Sequence, residues 1–112
     1  TLERLVKAIE RAGMTVFATI DHAAGARDVG MTMPPTTVLL YGNPKGGTPM
    51  MLAAPLVALD LPLRVLLRED ADGRTLVSLR PIAPILRRAG VPETLATRLD
   101  PAQSVLVEAL QS

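Results

Sequence analysis

Two alternating runs, Leu63 to Glu69 and Arg74 to Arg80, flank the tetrapeptide Asp70-Ala71-Asp72-Gly73. Period-two alternation on both sides of an Asp- and Gly-bearing turn predicts an antiparallel hairpin. Leu63, Val65 and Leu67 then share one face of the first strand, and Thr75, Val77 and Leu79 share a face of the second. A sheet with one apolar face has to be covered, and the remaining sequence supplies helices for that purpose.

Leu2, Leu5, Val6 and Ile9 recur at helical spacing, with charged residues between them and Gly13 as a stop, which predicts a helix over 1–12. Met14 to Ile20 alternates and is rich in β-branched residues, so it reads as a strand with Met14, Val16, Ala18 and Ile20 on one side and Thr15, Phe17 and Thr19 on the other. Asp21 offers a side-chain acceptor to a short helix through His22–Arg27, which ends by Gly30, before Pro34-Pro35. Thr36 to Tyr41 is a second, largely buried strand. It feeds Gly42-Asn43-Pro44-Lys45-Gly46-Gly47-Thr48-Pro49, where Thr48 is expected to cap a helix and Pro49 to occupy its first position. That helix, Met50 to Leu59, should bend near residue 54 because Pro55 lacks an N–H and clashes one turn back. Pro81 ends the sheet. Ile82, Ile85 and Leu86 suggest a short helix to Ala89, and Asp100-Pro101-Ala102-Gln103 reads as a capping box opening a last helix. The sum is a single α+β domain over 1–112, an antiparallel sheet of four strands with helices packed on one face.

Composition narrows the function. Phe17 and Tyr41 are the only aromatics, so base stacking is unsupported, and a formal charge of +1 offers no footprint for a nucleic-acid backbone. With no cysteine and one histidine, disulfides and thiolate sites are excluded and no metal is expected; no cofactor motif is present. Pro55, Asp60 and Pro62 break the apolar stretches well short of the roughly 20 residues of a membrane span. A soluble, cytoplasmic chain without nucleic-acid or membrane partners is the expectation.

The glycine-rich turn is the leading candidate site. If Thr48 caps the helix, its hydroxyl, the N–H groups of Met50 and Met51, and the Lys45 ammonium converge where an anion would sit. It is not a P-loop, because Gly47 is followed by Thr48-Pro49 rather than by lysine and a hydroxyl residue. The same glycines equally suit a tight strand-to-helix connection. His22 beside Asp21 is the other candidate: a weak catalytic base, or a cap with a surface histidine. A serine triad would need Ser78, Ser104 or Ser112, none in a nucleophile-elbow context. Arg64 and Arg68 on one strand, with Arg74, Ser78 and Arg80 on the next, outline a basic stripe on the open face of the sheet. That stripe is either solvated or a surface for an acidic ligand or a second copy.

Ile20-Asp21-His22-Ala23-Ala24-Gly25-Ala26, then Tyr41 to Met51 with its Gly-Asn-Pro-Lys element, then Leu59 to Leu66, occur in an order that resembles the domain-of-unknown-function family 302. The resemblance, which also takes in Glu69 to Gly73, implies a TATA-binding-protein-like α+β fold, strand-helix-four strands-helix, commonly a homodimer, with no assigned activity. The family's usual first strand would precede Thr1, and Tyr41 stands where phenylalanine is usual. Carried onto this chain, the resemblance implies a pocket of Asp21, His22, Asn43, Lys45, Thr48 and Pro49. The expected function is a homodimeric, non-enzymatic domain binding a small anion between that turn and the Asp21-His22 strand end. The alternatives are a small hydrolase or isomerase with His22 as base, and a purely structural dimerisation module.

Overall fold

The computed structural model describes residues 1–111. Four strands, β1 (Thr15–Asp21), β2 (Thr36–Gly42), β3 (Leu63–Glu69) and β4 (Thr75–Ser78), lie in chain order in one sheet, each antiparallel to the next. Six helices accompany them: α1 (Leu2–Arg11), α2 (His22–Asp28), α3 (Pro44–Ala53), α4 (Ile82–Arg88), α5 (Glu93–Ala96) and α6 (Asp100–Gln111). Of the five strands the family resemblance implies, these residues form four.

The pleat of β2 and β3 sorts their side chains. Leu39, Tyr41, Leu63, Val65 and Leu67 turn to the covered face and are buried against Leu5 and Ile9 of α1, Met50 of α3, Ile82 and Leu86 of α4 and Leu106 of α6. The opposite face carries exposed Arg64 and Arg68 among half-buried Val38, Leu40 and Leu66. Burying each of the larger aliphatic side chains is worth roughly 1.5–3 kcal/mol, so this one-sided layer dominates the stability of the domain.

The hairpin forms as its turn chemistry requires. Asp70 Oδ1 accepts from the N–H groups of Asp72 and Arg74, both at 2.9 Å, and Gly73 takes φ +79, a region that side chains disfavour. Its second strand stops at Ser78, two residues short of the expected Arg80. Extending the register from Leu66 opposite Ser78 would place Arg64 opposite Arg80. Like charges directly across a ladder repel, and the strand ends before they meet.

Two other expectations are corrected. In β1 the register slips between Val16 and Ala18, so Phe17 is an extra, bulged residue. Val16 pairs with Tyr41 on the covered side, whereas Ile20 pairs with Val38 on the open side, so Met14-to-Ile20 alternation does not hold through the strand. The apolar segment after β2 is not one helix from Met50 to Leu59. α3 begins at Pro44, ends at Ala53, and is followed after Ala54 by a 3-10 turn, Pro55–Leu59. The bend expected near residue 54 is present, because Pro55 restarts the chain rather than continuing it.

Candidate functional site

Asn43, not Thr48, caps α3. Its Oδ1 accepts from Lys45 N–H at 2.9 Å, and its Nδ2 donates to Gly13 O at 3.4 Å, tying the cap to the start of β1. Pro44 follows at the first helical position, and the N–H groups of Gly46 and Gly47 bond to Asn43 O. Pro44 has no N–H, so the donors of the first turn are already engaged. Gly46 has a packing role instead: a Cβ there would lie 3.1 Å from Leu99 Cδ2. Thr48 and Pro49 fall within the helix, and Met50 is buried in the core. A cradle built from Thr48 and the N–H groups of Met50 and Met51 is therefore not formed, and Lys45 is left as an exposed cation beside it.

Asp21 does cap α2, accepting from Ala24 N–H at 2.9 Å, and His22 is the exposed first residue of that helix. The sheet register decides whether this pair joins the turn. Asp21 lies opposite Thr37 at one end of β2, and Thr15 lies opposite Gly42 at the other. Five strand steps separate them, roughly 17 Å. Within one chain, Asp21 and His22 are not brought to Asn43, Lys45, Thr48 and Pro49, and His22 has no hydrogen-bond reach to a charge-stabilising Asn43–Lys45 pair. Of the proposed triad serines, Ser104 bonds to Asp100 O on α6, Ser78 ends β4, and Ser112 lies outside the described residues.

A larger concavity opens where β4 stops. Beyond Ser78 the chain swings away from β3, and the gap is a cleft of about 410 Å³. Its walls are mainly apolar, including Val38, Leu59, Leu66, Leu79 and Ile85, while Arg64, Arg80 and Asp60 stand among them. Arg64 and Arg80 are exposed and make no ion pair among the described residues. Arg74, the third cation of the expected stripe, is instead engaged by Asp72 at 3.2 Å.

Gln103 holds the cleft open. Buried on α6, it accepts from Ile82 N–H at 3.0 Å through Oε1 and donates to Arg80 O at 2.9 Å through Nε2, clamping the elbow between β4 and α4. It is thus not the return arm of a capping box. A signal for this existed in the sequence, since Gln103, Leu106 and Leu110 fall on one helical stripe and the polar member of a buried stripe needs partners. Tyr41 is the contrasting case: its hydroxyl is buried without a hydrogen-bond partner, and burial pushes the phenol up to about 12. Among the described residues, no three His, Cys, Asp or Glu side chains form a group able to hold a metal ion.

Comparison with known proteins adds a family and two kinds of relative. The family described as Domain of unknown function DUF302 matches residues 1–112. The chain is 38% identical over 88 residues to Fluoride-specific ion channel FluC 1 of Brucella suis biovar 1 (strain 1330), covering 79% of this chain and 35% of that protein. The same identity over 88 residues is found with Fluoride-specific ion channel FluC 2 of Brucella melitensis biotype 1, of which 33% is covered. The chain spans about a third of the length of these relatives. The crystal structure of the uncharacterized conserved protein DUF302 from Bacillus stearothermophilus superposes with a TM-score of 0.82 over 98% of this chain and 85% of that one, at 17% identity, a likeness of fold.

Proposed function

The chain belongs to the DUF302 family, and from that premise we propose that it is a non-enzymatic accessory domain, homodimeric, binding a small anionic ligand with an apolar body. The ligand site of this reading is the cleft beside β3 rather than the Gly-Asn-Pro-Lys turn. One observation carries it: two unpaired guanidinium groups, Arg64 and Arg80, flank a cleft whose walls are mainly aliphatic. A guanidinium binds a carboxylate through paired N–H donors, and the walls reward an aliphatic or alicyclic body. Asp60 on the same cleft disfavours a dianion more than a monoanion, which favours a monocarboxylate over phosphate.

The accessory role draws on the relatives. The segment alike in this chain and in proteins named as fluoride channels covers only about a third of them. Among the described residues, no helix is long and apolar enough to cross a membrane. A domain of this kind serves a larger protein or a neighbour rather than forming the pore itself.

Isothermal titration of the whole chain with octanoate and, separately, with inorganic phosphate tests the reading. Saturable octanoate binding, weakened roughly tenfold or more in Arg64→Gln/Arg80→Gln, is the expected result. Phosphate binding that disappears in Lys45→Ala would return the site to the turn, and no response to either anion would remove the ligand from the function.

A further inference from the structure

Where β4 leaves β3, one pair of the ladder is left unmade, and its backbone groups open on the cleft. In an antiparallel ladder the N–H and C=O of a residue point to the same side, and successive residues alternate. Glu69 N–H donates to Pro35 O on the β2 side, and Asp70 N–H donates to Arg74 O on the β4 side. The odd-numbered residues of β3 therefore bond toward β2, while Arg64, Leu66 and Arg68 turn their backbone groups toward β4. Leu66 pairs with Ser78 and Arg68 with Leu76. Arg64 would pair with Arg80, but by then the chain has left, and Arg80 O accepts from Gln103 instead. Among the described residues, the N–H and C=O of Arg64 have no hydrogen-bond partner. Arg64 lines the cleft with Arg80 across from it.

This open position is bounded at both ends. On one side Leu66 is already taken by Ser78. On the other, the next residue in phase is Pro62, which has no N–H to offer. A strand running through the cleft would find no donor beyond Arg64, whereas a chain that stops there needs none.

We infer that the cleft takes the carboxyl end of a peptide, whose last residue pairs with the Arg64 backbone as a one-residue extension of the sheet. The inference rests on the cleft reading of the proposed function and names the class of its ligand. Set antiparallel to β3, as β4 is, the last residue donates its N–H to Arg64 O, and one oxygen of its carboxylate accepts from Arg64 N–H. The second oxygen is left for the Arg80 guanidinium, a charge-assisted bond. Paired residues of a ladder share a face, so the last side chain falls on the open side with Val38 and Leu66, both walls of the cleft. An aliphatic last residue suits those walls, and Asp60 opposes an acidic one.

Octanoate and N-pentanoylglycine have the same number of chain atoms and the same carboxylate, and they differ by one amide. Isothermal titration of the whole chain should find N-pentanoylglycine tighter by roughly three- to tenfold, the worth of one added hydrogen bond. Pentanoyloxyacetate, an ester without the N–H, should lose that gain. An amide that found no partner would cost affinity on entering an apolar cleft, so the sign of the difference is itself diagnostic. The tripeptide acetyl-alanyl-alanyl-leucine should also bind, slow the solvent exchange of Arg64 N–H, and weaken roughly tenfold or more as its carboxamide. If octanoate binds as tightly as N-pentanoylglycine, the inference is overturned and the cleft reading stands. A tripeptide that does not bind, or that binds equally well as the carboxamide, overturns the chain end as occupant. No binding by any of these compounds removes the cleft reading and the inference together.

Discussion

Gln103 and Asp70 each hold two backbone groups with one side chain, and they differ in everything else. Gln103 reaches across 21 and 23 residues to Ile82 and Arg80 from a buried position on α6. Asp70 reaches two and four residues forward to Asp72 and Arg74, at a turn open to solvent. When Asp70 is removed, water can take over its two N–H groups. Nothing replaces Gln103 at Ile82 N–H, which sits inside the protein. A local clamp therefore shapes a turn, while the distant one sets where two elements part and so gives the cleft its form.

That contrast is open to measurement. Gln103→Leu should cost about 1–3 kcal/mol in urea unfolding, since it strands a buried donor, and it should also weaken octanoate binding because the Arg80 elbow loses its restraint. Asp70→Ala should cost about 1 kcal/mol or less. If the two costs were equal, distance and burial would not be what separates them. Next in size is Asn43→Ala, at about 1 kcal/mol for a lost helix cap, with Thr48→Ala nearly silent. The reverse order would give the cap back to Thr48.

Tyr41→Phe goes the other way. It deletes an unpartnered buried hydroxyl and should leave stability unchanged or raise it by up to about 1 kcal/mol. The folded phenol ionises near 12, above its ordinary value of 10. The unfolded chain therefore sheds this proton first on alkalinisation, and stability falls as pH rises from about 10 toward 12. The variant should lose that slope, and because Tyr41 is the only tyrosine, its phenolate absorbance gives the midpoint directly. The smallest effect belongs to Arg87 and Glu93, paired on the surface at 2.8 Å. The hydrogen bond from Arg87 holds the Glu93 carboxyl below its usual value. Whatever stability this adds is present above that value and disappears as pH falls through the folded one, so Glu93→Gln should matter least and only above the usual carboxyl range.

The same divide separates what the sequence revealed from what it concealed. The hairpin of Leu63–Glu69 and Thr75–Ser78, apart from its early end, the Asp21 cap and the break at Pro55 are settled by residues within one turn of each other, and each was legible. At 42–49 the sequence points to a start at Thr48-Pro49, whereas the helix starts at Asn43-Pro44. The choice between them is tertiary, since a helix starting at Asn43 brings Gly46 against Leu99. The bulge at Phe17 is of the same kind: the ring lies over Gly42, where a Cβ would stand 3.7 Å from it. Of the candidate residues, Asp21 alone reads as a cap in the sequence; the distance between Asp21 and Asn43 follows from strand register, which alternation alone does not give. The cleft was hidden entirely, because it opens only where the hairpin fails two residues early.

Each strand of this sheet pairs with the strand synthesised just before it. As the chain leaves the ribosome, β2 has β1 waiting, β3 has β2, and β4 has β3, so no strand must search for a partner not yet made. The covering layer has no such convenience. α1 is made before the sheet and packs on α6, which is made after it. The apolar side of the growing sheet is therefore only partly covered, by α1, α3 and α4, until α6 follows and completes the layer.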